Sequence, residues 1–194
     1  MGDGLGAGRL EVIAGPMFAG KTEELVRRVR RAQIAGRAAI VVAHELDTRS
    51  GPGRVASHSG MEIESRTVGS AAQIPALVEP DTVLVAVDEA QFFGDELVDV
   101  VVELADQGIV VVVAGLAVTF DGRPFEPLPA LMAVAEQVTK LTAVCSVCGR
   151  DAAFHVRVHA PAPADGDALT PVAAHVGGVE SYEARCRLHR AQVL

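Results

Sequence analysis

Residues 15 to 22 read Gly-Pro-Met-Phe-Ala-Gly-Lys-Thr and follow directly on the apolar run Leu10-Glu11-Val12-Ile13-Ala14. A Gly-x-x-x-x-Gly-Lys-Thr stretch between a strand and a helix is a phosphate-binding loop. Its glycines let the backbone turn sharply, so that successive N–H groups converge on phosphate oxygens. In that role Lys21 reaches the β and γ phosphates, the Thr22 hydroxyl ligates Mg²⁺, and the helix opening near Lys21 adds the positive end of its dipole. Gly15, Pro16, Met17, Phe18, Ala19, Gly20, Lys21 and Thr22 are therefore the candidate ATP-binding residues. The loop also dictates architecture, because strand, tight turn and helix in series open a parallel α/β sheet.

The rest of the chain keeps that alternation. Ala38–Ala43, Val83–Val87 and Ile109–Ala114 are apolar runs of strand length, with a further strand expected around Gln137–Leu141. Lys21–Gln33 and Glu96–Gln107 have helical patterning, the second ending at Gly108. Fully apolar strands separated by helices indicate a doubly wound parallel sheet covered on both faces. The expected division is a loose Gly-rich tail over residues 1–9, an α/β core over 10–142 and a small C-terminal domain over 143–194. A chain of 194 residues accommodates one ordinary core and an appendage, not two large domains.

Charge and composition remove several classes of partner. A net charge of −8 argues against nucleic acid held through its phosphate backbone. The short basic run Arg27-Arg28-Val29-Arg30-Arg31 reads as the solvated side of a helix. No stretch approaches the roughly 18 uninterrupted apolar residues of a membrane span. The first residues lack the basic-then-apolar pattern of a signal peptide, and Gly6 stands where a myristoylation signal needs Ser or Thr. Three cysteines in such a chain point to a reducing compartment and to metal or thiol chemistry, so the expected location is cytoplasmic.

Val85-Ala86-Val87-Asp88-Glu89-Ala90-Gln91-Phe92-Phe93 places two carboxylates at the C-terminal end of a buried strand, where open sheets carry their chemistry. Asp88 is the expected second anchor of Mg²⁺. Alternation along a strand sends Glu89 to the opposite side of the backbone, free to act as a base on whatever attacks the γ-phosphate. The same spelling suits an ATPase in which Glu89 activates water, but a helicase of that kind needs a second core and a basic channel. Phe92 and Phe93 suggest an aromatic wall for a flat acceptor.

Cys145-Ser146-Val147-Cys148 and Cys186-Arg187-Leu188-His189 form C-x₂-C and C-x₂-H pairs. Two short-spaced pairs of soft ligands are what tetrahedral Zn²⁺ requires, and four protein ligands close the ion to catalysis. A structural Zn²⁺ on Cys145, Cys148, Cys186 and His189 is expected, although His155, His159 and His175 are also close in sequence. Between the pairs, His159–Leu169 is rich in Pro and Ala and reads as a flexible loop or hairpin tip. His44-Glu45 lacks the second histidine of a metalloprotease motif.

Taken together, these motifs resemble the type II thymidine kinases. The likeness runs from about Leu10 to His189 through GPMFAGKT, DTRS (47–50), DEAQFF (88–93), FDGRPF (120–125), KLTAVCSVCG (140–149) and VGGVESYEARCRLH (176–189). It implies transfer of the ATP γ-phosphate to the 5′-hydroxyl of thymidine, and of deoxyuridine, for pyrimidine salvage and DNA synthesis, with Glu89 as general base. By the same resemblance Gln91 belongs to the ATP site and Arg49 steadies the transferring phosphate. A lasso over roughly Arg150 to Tyr182 covers the nucleoside, with Val176, Gly177 and Gly178 near the base and Tyr182 beside it. Met17, Phe92, Leu116, Phe120 and Phe125 form apolar walls. The family is typically homotetrameric and inhibited by thymidine triphosphate. This chain departs from the common pattern at Ala117, Asp121 and His155, and keeps Arg157.

Overall fold

The apolar runs lie side by side, as fully buried strands must when both faces are covered. The computed structural model describes residues 8–47, 53–56, 60–158 and 182–191. In chain order these form β1 (Arg9–Gly15), α1 (Lys21–Ile34), β2 (Ala38–His44), β3 (Arg54–Ala56), β4 (Glu62–Glu64), β5 (Arg66–Val68) and β6 (Thr82–Val87). There follow α2 (Glu96–Asp106), β7 (Val110–Leu116), α3 (Leu128–Val134), β8 (Gln137–Lys140), β9 (Ala143–Val144), β10 (Asp151–Ala152), β11 (Phe154–Arg157) and β12 (Tyr182–Arg185).

Among the described residues the main sheet has six strands in the order β5-β2-β6-β7-β1-β8. Every neighbouring pair in it is parallel. One face packs Ile13, Val41, Ala86 and Val112 against Leu25 and Val29 of α1, with Val55 and Ile63 of the β3–β4 hairpin closing over it. The other packs Val12, Val85, Val111 and Val113 against Leu97, Val101 and Leu104 of α2 and Leu128 and Leu131 of α3. The α2 residues recur at i, i+4 and i+7, one stripe of a helix. Its chain reverses through Gly108 at φ 93°, a conformation open to glycine.

Three pieces were not foreseen. The β3–β4 hairpin and β5 are three-residue strands in polar surroundings, too short for periodicity to mark. Helix α3 is seven residues long, and its prolines read as loop, although proline in a first helical turn removes no needed donor. Beyond β8 the chain builds two small antiparallel pairs, β9–β10 and β11–β12. Among the described residues one cluster gathers Ala143, Cys145, Ala152, Ala184 and Cys186, and Phe154, Val156 and Tyr182 are also buried on β11 and β12. Among the described residues no helix is long and apolar enough to cross a membrane.

Candidate active site and metal centre

Because the sheet is parallel, β1 and β6 both deliver their C-terminal ends to one rim. The phosphate loop leaves β1 there and the acidic pair leaves β6. Gly20, at φ 78°, makes the final left-handed turn into α1. The Lys21 ammonium lies buried and donates to the Pro16 carbonyl at 2.9 Å, folded along its own loop. The Thr22 hydroxyl donates to Asp88 Oδ2 at 3.0 Å, joining the two motifs directly. A hydroxyl and a carboxylate oxygen this close are a donor set suited to a hard cation such as Mg²⁺.

Asp88 and Glu89 are both buried, at 2% and 6% exposure. The strand has already ended at Val87, and Glu89 adopts φ 50°, ψ 49°. Its divergence from Asp88 therefore comes from a left-handed backbone turn, not from the strand alternation expected from the sequence. Such a conformation costs a non-glycine residue free energy and persists where the surroundings over-determine it. Gln91 supplies that restraint. Its amide nitrogen donates to Glu89 Oε2, and its oxygen accepts the Leu116 N–H at 3.0 Å. The backbone bond fixes which end of the amide is which, so the NH₂ group is directed at the carboxylate. Gly115 makes this seat possible: a Cβ there would lie 2.7 Å from Leu128 Cδ2 and 3.0 Å from Gln91 Oε1.

The aromatic residues after the pair separate. Phe93 is buried in the core shared with α2, whereas Phe92 is half-buried. The His44 ring lies behind both, 4.8 Å from Phe93 edge-on and 6.2 Å from Phe92. Burial pushes the His44 imidazole below its ordinary value, against opposing pulls from the Gly69 backbone and Glu45. Its Nδ1 accepts the Leu46 N–H at 3.1 Å.

Met17 and Phe120 of the expected walls, together with Tyr182, meet around Arg157 and His155. The Arg157 guanidinium lies 4.6 Å from the Phe120 ring centroid and 5.4 Å from that of Tyr182, and donates to the Tyr182 hydroxyl at 2.8 Å. His155 sits edge-on to Tyr182 at 5.8 Å, and its Nδ1 accepts the Met17 N–H at 3.5 Å. Leu116 and Phe125 are buried near the Gln91 seat and on the turn after β7 respectively. Arg49, Val176, Gly177 and Gly178 lie outside the described residues, as do His159 and His175.

Ligand atoms of Cys145, Cys148, Cys186 and His189 all fall within 4.8 Å of one another. Cys148 and Cys186 sulfurs are 3.8 Å apart, and His189 Nδ1 is 3.3 Å from Cys186 Sγ and 3.6 Å from Cys145 Sγ. Four ligands at about 2.3 Å around a tetrahedral ion would be about 3.8 Å apart, so the Cys₃His set fits Zn²⁺. His155 lies outside the cluster, with the phosphate loop. Burial works to raise the Cys145 thiol, but N–H groups of Cys186, Val147 and Cys148 and the His189 ring bring it down to about 5. A thiol so lowered is ready to bind metal as thiolate.

A thymidine kinase family model matches residues 8–190. A curated thymidine kinase from Bdellovibrio bacteriovorus is 46% identical over 182 residues, which is 94% of this chain and 85% of that protein. Among solved structures, the cytoplasmic domain of the Thermomonospora curvata type VII secretion ATPase EccC aligns with a TM-score of 0.41 and 14% identity. That alignment covers 76% of this chain and 22% of the other, and so slight a likeness carries no argument. The sheet, the phosphate loop, the acidic pair and the cysteine lobe all fall inside the matched span, and the chain belongs to the thymidine kinase family.

Proposed function

We propose that the protein transfers the γ-phosphate of ATP to the 5′-hydroxyl of thymidine, and of deoxyuridine, with Glu89 taking the hydroxyl proton. The observation that carries this reading is the junction of the two motifs. Asp88 is bonded to Thr22 of the phosphate loop, and the adjacent Glu89 is turned aside and held by Gln91. Two neighbouring carboxylates thereby have different partners, one on the phosphate loop and one on Gln91, and the second is the base for the acceptor. Backbone N–H groups of Phe18–Lys21 hold the phosphates and the Lys21 side chain moves onto them, while Thr22 and Asp88 would hold Mg²⁺. When bound, that ion neutralises charge developing on the phosphates. Phosphoryl transfer needs little beyond positioning and charge stabilisation, and Glu89 removes the proton that the attacking oxygen must lose.

The nucleoside lies against Met17, Phe92, Leu116, Phe120, Phe125 and Tyr182, with Val176, Gly177 and Gly178 reading the base and Arg49 at the moving phosphate. Zn²⁺ on Cys145, Cys148, Cys186 and His189 would give the small lobe its shape, since the described cluster around the ligands is built of small side chains. The same reading gives a cytoplasmic homotetramer inhibited by thymidine triphosphate. It predicts monophosphate and ADP in equal amounts when Mg-ATP is incubated with thymidine. Release of inorganic phosphate alone, whatever nucleoside is offered, would replace the kinase by an ATPase.

A further inference from the structure

Three consecutive residues of the phosphate loop touch the cysteine lobe. The Met17 N–H donates to His155 Nδ1 at 3.5 Å, and Phe18 and Ala19 pack against Ala143, Cys145, Ala152, Ala184 and Cys186. Two of those five are metal ligands in the proposed site. The chain entering the lobe also lies on the loop: the Leu141 N–H donates to the Ala14 carbonyl at 2.8 Å, and a Cβ on Gly15 would stand 2.9 Å from the Leu141 carbonyl oxygen. Phe18 itself has φ 66°, a left-handed conformation that L side chains avoid. Position 18 carries a large aromatic ring where the backbone alone favours glycine. Such a residue persists when packing over-determines it, and the packing here is with the lobe. His155 is 1% exposed and lies on β11, paired to β12, which leads into Cys186.

We propose that Phe18 and His155 are positioning residues that tie the shape of the phosphate loop to the folded metal lobe, so that nucleotide affinity depends on the lobe. The lobe then acts on both substrates, not on the nucleoside alone. The His155 ring works as an acceptor, fixing the direction of the Met17 N–H and with it the start of the loop's inward turn. The Phe18 ring holds the next peptide in the left-handed form. Both act through the loop backbone. The inference rests on the reading of Gly15–Thr22 as the ATP site.

The test is the dissociation constant of Mg-ADP, measured by calorimetry on the full-length zinc-loaded protein, with thermal midpoint and zinc content as controls. Measurable binding by the unaltered protein checks the ATP-site reading separately. Phe18→Gly keeps the left-handed backbone without strain and removes only the ring. It should weaken ADP binding about fivefold or more, while zinc content stays unchanged. His155→Leu should weaken it as well, and His155→Asn, which offers an acceptor near the Nδ1 position, should restore much of the loss. Stripping zinc from the unaltered protein should weaken ADP binding, and should add little to the loss already present in Phe18→Gly. The inference is overturned if Phe18→Gly and His155→Leu bind ADP within twofold of the unaltered protein. It is equally overturned if both variants weaken ADP binding only in step with a general loss of thermal stability.

Discussion

Glu89→Gln keeps the size of the side chain and removes its basicity. The variant should lose about 10²–10⁴-fold in turnover while ADP affinity holds, because a general base contributes on that scale to the chemical step. Undiminished turnover would remove the base from the mechanism. Gly115→Ala should act on the same group indirectly, since its methyl would displace Gln91 Oε1 or Leu128 and loosen the amide that restrains Glu89. Its expected signature is a fall in kcat with little change in ADP affinity. His44 gives a pH prediction. Burial lowers its pKa in the folded protein, so the unfolded chain takes a proton near 6.5 that the native one resists. Stability therefore falls as pH drops from about 6.5 towards the lowered value, and this group adds no slope above that window. His44→Asn, which retains an acceptor for the Leu46 N–H, should flatten that slope in urea unfolding followed from pH 7 to 5. The carboxylates and the phosphate loop were legible because their spacing is set by chemistry. Gln91's bond to Glu89 was not, because it depends on a left-handed turn that no spacing encodes.

Helix α1 links the loop to the sheet. Its Leu25 and Val29 are fully buried against β2, β6 and β7, and Leu25→Ala should cost about 2–5 kcal/mol in chemical denaturation. On its outer side Glu24 is held by Arg27, with burial opposing and Arg28 assisting, which brings its carboxyl down to about 2. Arg28 also reaches Glu11 at 2.6 Å and Thr139 at 2.9 Å, tying the helix to β1 and β8. Glu24 therefore stabilises the fold above its ordinary pKa of 4.5, and the contribution is lost as pH falls from there through about 2. Glu24→Gln should thus destabilise at neutral pH and converge with the unaltered protein below pH 2, read from midpoints across that range. The basic run 27–31 was expected to be a solvated helical side. Arg27, Arg30 and Arg31 are exposed, but Arg28 is largely covered within this ion-pair cluster. Long strands and helices could be read from periodicity, whereas α3 and the β3–β4 hairpin are defined by the core they cover.

At the scale of the whole molecule, a large core on both faces of the sheet carries a lobe whose described cluster around the metal ligands is made of small side chains. Metal binding supplies much of the folding free energy of such a lobe. Chelation should release close to one zinc per chain and lower the thermal midpoint, and Cys148→Ala should do the same without a chelator. Unchanged stability on complete zinc loss would argue against a structural ion. The C-x₂-C and C-x₂-H pairs were readable because thiolate chemistry needs short spacing. The contact of the lobe with Met17, Phe18 and Ala19 joins residues more than a hundred positions apart and left no local pattern. The parallel sheet has one more result. With both reactive motifs gathered where strands β1 and β6 finish, the turn from Ile34 to Arg37 belongs to the opposite end of the molecule. There Gly36 has open space around it, with no atom within 4 Å of where a Cβ would stand. That turn is the natural place to graft a tag or fluorophore, giving a reporter enzyme whose catalytic end never meets its cargo.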